Sequence, residues 1–214
     1  MVVYIGGSTP FQVLSASSQT LGVAGTTVTI SSVDFQSGGT VVVLFVRSNV
    51  AGNAHTVSSV TINGTAASLV IAAAGTAVAA DAQAYEAASV AGGTGNVSIV
   101  FSGSEVWTAV YGIYLVGSRT LEDSDSQNAS VTTLTQSVNV SADGAVMSTF
   151  LFWLNNSALA FTGGVDEDVR ATVTATNRPG NVGSRAYPSS ATPASVTSGS
   201  SSAATLRAVT VSYS

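Results

Sequence analysis

Period-two alternation constrains this chain more than any other feature. Short runs rich in Val, Thr and Ile recur from one end to the other, each closed by Gly, Ser or Asn. Side chains that alternate between two faces are the mark of strands. Residues 26–35 alternate and stop at Gln36-Ser37-Gly38-Gly39, a turn sequence. The next run, Val41-Val42-Val43-Leu44-Phe45-Val46, is apolar on both faces, which predicts a strand in the middle of a sheet. Residues 57–62 run into Asn63-Gly64, the pair that best tolerates two successive positive φ angles, and 66–71 is the expected return strand. Further strands are expected over 83–88, 96–101, 108–116, 131–140, 145–154, 169–176, 184–187 and 206–213. Residues 78–88, with Ala, Gln and Glu, also admit a short helix, but their neighbours are all strands and strand is the better reading.

The two halves match each other. Val33-Asp34-Phe35, two residues, Gly38-Gly39-Thr40-Val41 and Phe45 are spaced like Val138-Asn139-Val140, two residues, Asp143-Gly144-Ala145-Val146 and Phe150. Ala84-Tyr85 resembles Ala186-Tyr187, and 110–114 resembles 209–213. A repeat of about 100 residues is too long for a solenoid. It leaves two Ig-sized sandwiches in tandem, or one pseudo-symmetric sandwich of about ten to fourteen strands. The connection at 121–127 is short and acidic, without a Pro-rich or Gly/Ser linker, which favours one domain over 20–214 with halves at about 20–120 and 126–214. The expected fold is therefore all-β: an antiparallel sandwich with an internal pseudo-repeat.

Composition narrows the function. Charged residues make up 8% of 214 residues, the basic ones are all Arg, and the net charge is −5. An ordinary domain has about 25% charged residues, and a chain this acidic offers no basic footprint for nucleic acid. Its surface must come from Ser, Thr, Asn, Gly and Ala, which suits a virion, a cell exterior or a packed assembly. There is no Cys for a disulfide or thiolate metal site. Met1-Val2-Val3-Tyr4-Ile5-Gly6-Gly7 lacks the basic and apolar regions of a signal peptide, and no apolar run reaches the roughly 20 residues of a membrane span.

Residues 41–46, Ser59-Val60-Thr61-Ile62-Asn63-Gly64, Ala84-Tyr85-Glu86 and the run from Ala91-Gly92-Gly93-Thr94 to Val100-Phe101-Ser102-Gly103 together resemble jelly-roll-like modules of tailed-phage virions and bacterial exterior proteins. The closing strand 206–213 fits the same pattern, so the resemblance covers about residues 20–214. It implies a jelly-roll-like sandwich in which the last strand packs near the first, and it brings no catalytic residues. With no signal peptide in view, it points to a virion component: a head decoration, head fibre or tail accessory protein.

The residues that carry chemistry are few. His55 is the one histidine, lies in a loop by composition, and has no Gly-x-Ser-x-Gly elbow to serve, so a Ser-His-Asp triad is not expected. Glu122-Asp123-Ser124-Asp125 and Asp166-Glu167-Asp168 offer oxygen ligands but lack EF-hand spacing and read as solvated turns. Glu86 and Glu105 are the candidate carboxylates for a glycosidase pair. Trp153, inside Phe150-Leu151-Phe152-Trp153-Leu154, reads as core, whereas Trp107 is a candidate surface aromatic for stacking on sugar. No enzyme, cofactor or metal site is expected.

The expected partners are other virion proteins and further copies of the chain, a trimer rather than a pentamer, with a host-surface glycan as a further ligand and neither nucleic acid nor membrane. Residues 1–19 are expected to form an anchoring arm. Val2, Tyr4 and Ile5 form one short strand, and Val13 and Leu14 a second, followed by a loose Ser15-Ala16-Ser17-Ser18 joint. A strand free of its own sheet can add to another chain's edge. The alternatives are a carbohydrate-binding adhesion module and a polysaccharide-degrading enzyme.

Overall fold

A computed structural model describes residues 11–49, 55–74, 80–152, 159–173 and 178–214. They form β1 (Gln12–Phe35), β2 (Gly39–Asn49), β3 (Val57–Ile62), β4 (Thr65–Ala66), β5 (Ser68–Ala74), β6 (Ala80–Val90) and β7 (Gly93–Gly117) in the first half. The second half holds β8 (Leu121–Val140), β9 (Gly144–Phe152), β10 (Leu159–Gly163), β11 (Asp166–Val173), β12 (Arg178–Tyr187) and β13 (Ala191–Tyr213). Every strand pairing is antiparallel. Residues 80–90 are strand, as their neighbours predicted.

The seven-stranded sheet runs β4-β3-β7-β2-β6-β5, with β1 along the free side of β7. β4 and β5 are separated by Ala67 alone; one pairs with β3 and the other with β6. The sheet thereby returns on itself into a nearly closed barrel. The six-stranded sheet runs β10-β13-β9-β12-β11, with β8 along β13. In both sheets the first long strand pairs with the last, the last with the second, and the second with a later strand: β1-β7-β2-β6-β5 and β8-β13-β9-β12-β11.

The long strands depart from expectation. Residues 96–101 and 108–116 are one strand, β7, and the acidic connection at 121–127 is the first part of β8. The joint expected at Ser15–Ser18 is continuous strand, and β1 runs through residue 19, where the arm was expected to end. The reason is pairing at long range. Residues 12–21 lie against 107–115, and 27–35 against 93–100, with shifts in register at Leu21, Gly25 and Thr27. Two long strands thus bend together, and a bulge re-aims a strand without ending it. Gly and Ser at such bends look like turns when read locally.

Turn chemistry is as the sequence requires. Asn63 and Gly64 have φ of 45° and 80°, and Gly38 and Asp143, at matched places in the two halves, have φ of 80° and 62°. The other proposed matches fail in register. Tyr85 lies opposite Val43 whereas Tyr187 lies opposite Gly144, and Tyr114 lies opposite Val42 whereas Tyr213 lies opposite Ala145.

Three apolar layers hold the molecule together. Val41, Val43 and Phe45 of β2 turn into the first half with Ile62, Ile99, Ile113 and Leu115. Val146 and Phe150 of β9 turn into the second with Val138, Val140, Val196 and Leu206. The opposite faces of the same strands, Val42, Leu44 and Val46 on β2 and Ala145, Met147 and Leu151 on β9, meet in a third layer between the halves. This is why both strands are apolar on both faces. There β1 packs on β11, β7 on β12, β2 on β9, β6 on β13 and β5 on β8. The approach is close at Gly180, where an added Cβ would meet Val46 Cγ2 at 2.8 Å.

Candidate functional site

The layer between the halves carries polar groups in two places. Tyr114, fully buried on β7, donates its hydroxyl to Asp168 Oδ2 of β11 at 2.9 Å. Tyr213, fully buried on β13, donates to Glu86 Oε2 of β6 at 2.5 Å. Each last strand therefore sends a tyrosine across to a carboxylate of the other half. Burial and the facing carboxylate push both phenols well above their ordinary range. Burial raises Asp168 as well, against the hydrogen bonds from Ser184 and Tyr114 that lower it. A buried hydroxyl needs a partner, and a carboxylate is a strong one.

A second network fills one end of the first half. Arg47 is buried and grips Asp81 with two bonds, Nε to Oδ1 at 2.8 Å and Nη2 to Oδ2 at 2.9 Å. Gln83 Nε2 donates to Asp81 Oδ2 at 2.8 Å, and Tyr85 donates to Gln83 Oε1 at 2.8 Å. Arg47 also lies 4.8 Å from the centre of the Phe101 ring and donates to the His55 carbonyl. Burial first, and Asp81 second, push the Tyr85 hydroxyl up to about 12, against the lowering effect of Arg47. The His55 ring itself is packed over Gly103.

The acidic run on β8 has a different task. Asp125 Oδ2 accepts the backbone N–H of Ser137 at 3.0 Å, Asp123 Oδ2 that of Asn139 at 2.9 Å, and Glu122 Oε2 that of Ser141 at 2.7 Å. These donors alternate along the end of β8, whose ladder partner is β13. The carboxylates of the strand's beginning thus cap donors along the open edge of its end. For Glu122, desolvation raises the carboxyl, but the hydrogen bonds from Ser141 outweigh it and hold the group below its ordinary range. The expectation of a solvated turn is corrected: the cluster is strand, and its oxygens face backbone. Among the described residues no three His, Asp or Glu side chains come together as a metal site would need.

A cleft of about 260 Å³ opens where β1 meets β11 and β12, lined by Phe11, Val13, Asp166, Asp168, Ser184, Arg185 and Ala186. Its charges are matched from within, since Arg185 Nη2 lies 3.0 Å from Asp166 Oδ1 and Asp168 takes Tyr114. Asn181 Nδ2 donates to Glu167 at 3.3 Å.

The residues singled out from sequence fall as follows. Val2, Tyr4, Ile5 and Trp153 lie outside the described residues. Val13 and Leu14 sit on β1, half-buried against the layer between the halves and the first core respectively. Trp107 lies inside β7, its backbone opposite Leu21 and Asn49 rather than at the start of a strand; its side chain is outside the described part. Glu86 is taken by Tyr213, and Glu105 has its backbone opposite Gly25. The tyrosine–carboxylate pairs and the Arg47 network were not singled out. Their signal was present as lone polar residues inside apolar alternation, such as Arg47 after Val46 and Tyr114 before Leu115. Comparison with family models, with curated protein sequences and with solved structures finds no match.

Proposed function

We propose that the chain is a structural protein of a tailed-phage particle, a head decoration, head fibre or tail accessory subunit, working through protein–protein contacts. One observation carries this reading: among the described residues, the carboxylates, the arginine and the tyrosines of the three networks bond within the chain. Arg47 and Asp81 hold each other, Tyr114 and Tyr213 hold Asp168 and Glu86, and Glu122, Asp123 and Asp125 hold backbone. Charged residues make up only 8% of the chain, and a surface poor in charge suits contacts repeated by symmetry.

In the same reading each half is a jelly roll and the chain a pseudo-repeat. In the first half, the start of β1 pairs with the end of β7, the end of β1 with the start of β7, β2 with β6 and β3 with β4, a hairpin rolled upon itself. The second half supports it with β8 on β13 in the same two steps and β9 on β12. The packing order between the halves is reciprocal: β1 on β11 answers β8 on β5, and β7 on β12 answers β13 on β6. This is the self-complementary pattern of a two-fold interface, here within one chain. Electron microscopy of native particles labelled for this chain tests the function. Label at symmetric positions on head or tail is expected; a chain found only in the soluble fraction of infected cells overturns it.

A further inference from the structure

The reciprocal packing gives the molecule two flanks that differ in one respect. On one, β8 presents its open edge; on the other, β1 does. Among the described residues β1 hydrogen-bonds to β7 and to no other strand. An open edge is a template for another strand unless something blunts it. On β8 the blunting is explicit, three carboxylates on the N–H groups of Ser137, Asn139 and Ser141. From Gln12 to Val33 β1 carries no charged residue at all. Its second part is interrupted by register shifts at Gly25 and Val33, with Ser32 at φ 63°. Its first part is regular, in unbroken register from Ser15 to Leu21 against Ile113 to Trp107, and Ser18 at its middle is exposed.

We propose that the segment Ser15 to Leu21 of β1 is the surface through which two copies of this chain associate, edge to edge and antiparallel about a two-fold axis near Ser18. The inference rests on the reading of the chain as an assembly protein and gives that reading a contact. The occupant is a second copy because a neutral strand is complementary to itself: Ser15 would face Leu21, Ala16 would face Thr20, and no like charges would meet, which on paired strands is the main obstacle. The same pairing at β8 would bring Glu122, Asp123 and Asp125 against their own copies. Nearby β11 adds little repulsion, since Asp166 is bridged to Arg185 and Asp168 is bonded to Tyr114. The product is one sheet continuous through both copies, held by backbone hydrogen bonds without charge.

The test uses the full chain and two substitutions at the exposed centre. Sedimentation of the unaltered chain should show reversible dimers. Ser18→Lys places two cations opposite each other and should yield monomer that melts where the unaltered chain melts when diluted to monomer. Ser18→Glu should do the same, and mixing the two variants should restore a dimer of one Lys and one Glu copy. A wild-type chain that stays monomeric, a Ser18→Lys chain that dimerises as before, or a mixture that fails to re-pair overturns the inference. A chain that labels particles yet never dimerises overturns this contact and leaves the virion reading standing. A chain that pairs through Ser18 but never labels particles supports the contact and overturns the virion reading.

Discussion

The interiors of the two halves solve the same packing problem with different chemistry. On the central strands of the first half, Val43 lies opposite Ile113, both fully buried in an apolar cluster. At the matched place in the second half Ser148 lies opposite Thr210, both equally buried. Their hydroxyls are 2.6 Å apart, Thr210 donates to Gln136 Oε1 at 2.6 Å, and Gln136 donates to the carbonyls of Asp125 and Ala208. The first interior is apolar at its centre and keeps its Arg47–Asp81–Gln83–Tyr85 network at one end, whereas the second carries at its centre a hydrogen-bonded chain that reaches the acidic edge strand. An apolar interior tolerates buried polar groups when each finds a partner. Such a network also fixes the register of β8, β9 and β13 in a way that Val and Ile do not.

The largest effect should come from a position where the interiors agree and the side chain is large. Phe45 and Phe150 are both fully buried, and Phe45→Ala or Phe150→Ala should each cost about 3–5 kcal/mol. Because the halves share the layer of Val42, Leu44, Met147 and Leu151, denaturant melts should show one transition shifted in either variant. Two transitions, with only one moving, would mean that the interiors are independent.

Next in size are substitutions that separate the two chemistries. Thr210→Val leaves the buried Gln136 Oε1 without its donor, while Ser148 keeps its bond to the Val209 carbonyl, and should cost about 1–3 kcal/mol. Replacing Ser148, Thr210 and Gln136 together by Val, Val and Leu should cost less than the three single losses added, because no orphaned group remains. In the first half Val43→Thr should cost about 1–3 kcal/mol, since its hydroxyl enters a largely apolar cluster. Equal costs for all of these in chemical denaturation would erase the contrast.

Alkaline pH probes what joins the halves. Tyr114 and Tyr213 are raised above the ordinary phenol value of 10.0 by burial and by Asp168 and Glu86. A raised folded value means stability is complete below the unfolded value and lost as pH rises past it. Melting temperature should therefore fall steeply above about pH 10. Tyr114→Phe together with Tyr213→Phe should lower the melting temperature at neutral pH and flatten that fall.

The smallest effect on stability belongs to the β8 edge. Asp123→Ala with Asp125→Ala should cost about 1 kcal/mol or less, since these bonds are exposed. The same change should raise self-association in light scattering, because bare N–H groups accept a strand. Glu122 is held below its ordinary range, so its contribution is complete above the unfolded value near 4.5 and fades as pH falls through the lower folded value. Glu122→Ala should remove that part of the acid dependence and little else.

Much of the fold was readable from local pattern. The all-β class, the two central strands, the Asn63-Gly64 hairpin and the turns at Gly38 and Asp143 each follow from alternation or from a residue that tolerates positive φ. The polar sites were less readable. Asp125 and Asp123 look like a solvated turn because nothing local says that their oxygens will meet Ser137 and Asn139 respectively, twelve and sixteen residues on.

The sequence by itself determined which residues face inward, because a strand's two faces are written two residues apart. Tertiary structure alone decided where β1, β7, β8 and β13 bend, which face of β2 meets β9, and which edge is capped. Those outcomes depend on pairs far apart in the chain, such as Tyr213 with Glu86, 127 residues away. A bend at Gly25 becomes a continuation rather than a turn only when the partner strand bends with it. Burial is a local preference summed along the chain. Pairing is a choice among distant strands, and packing settles it.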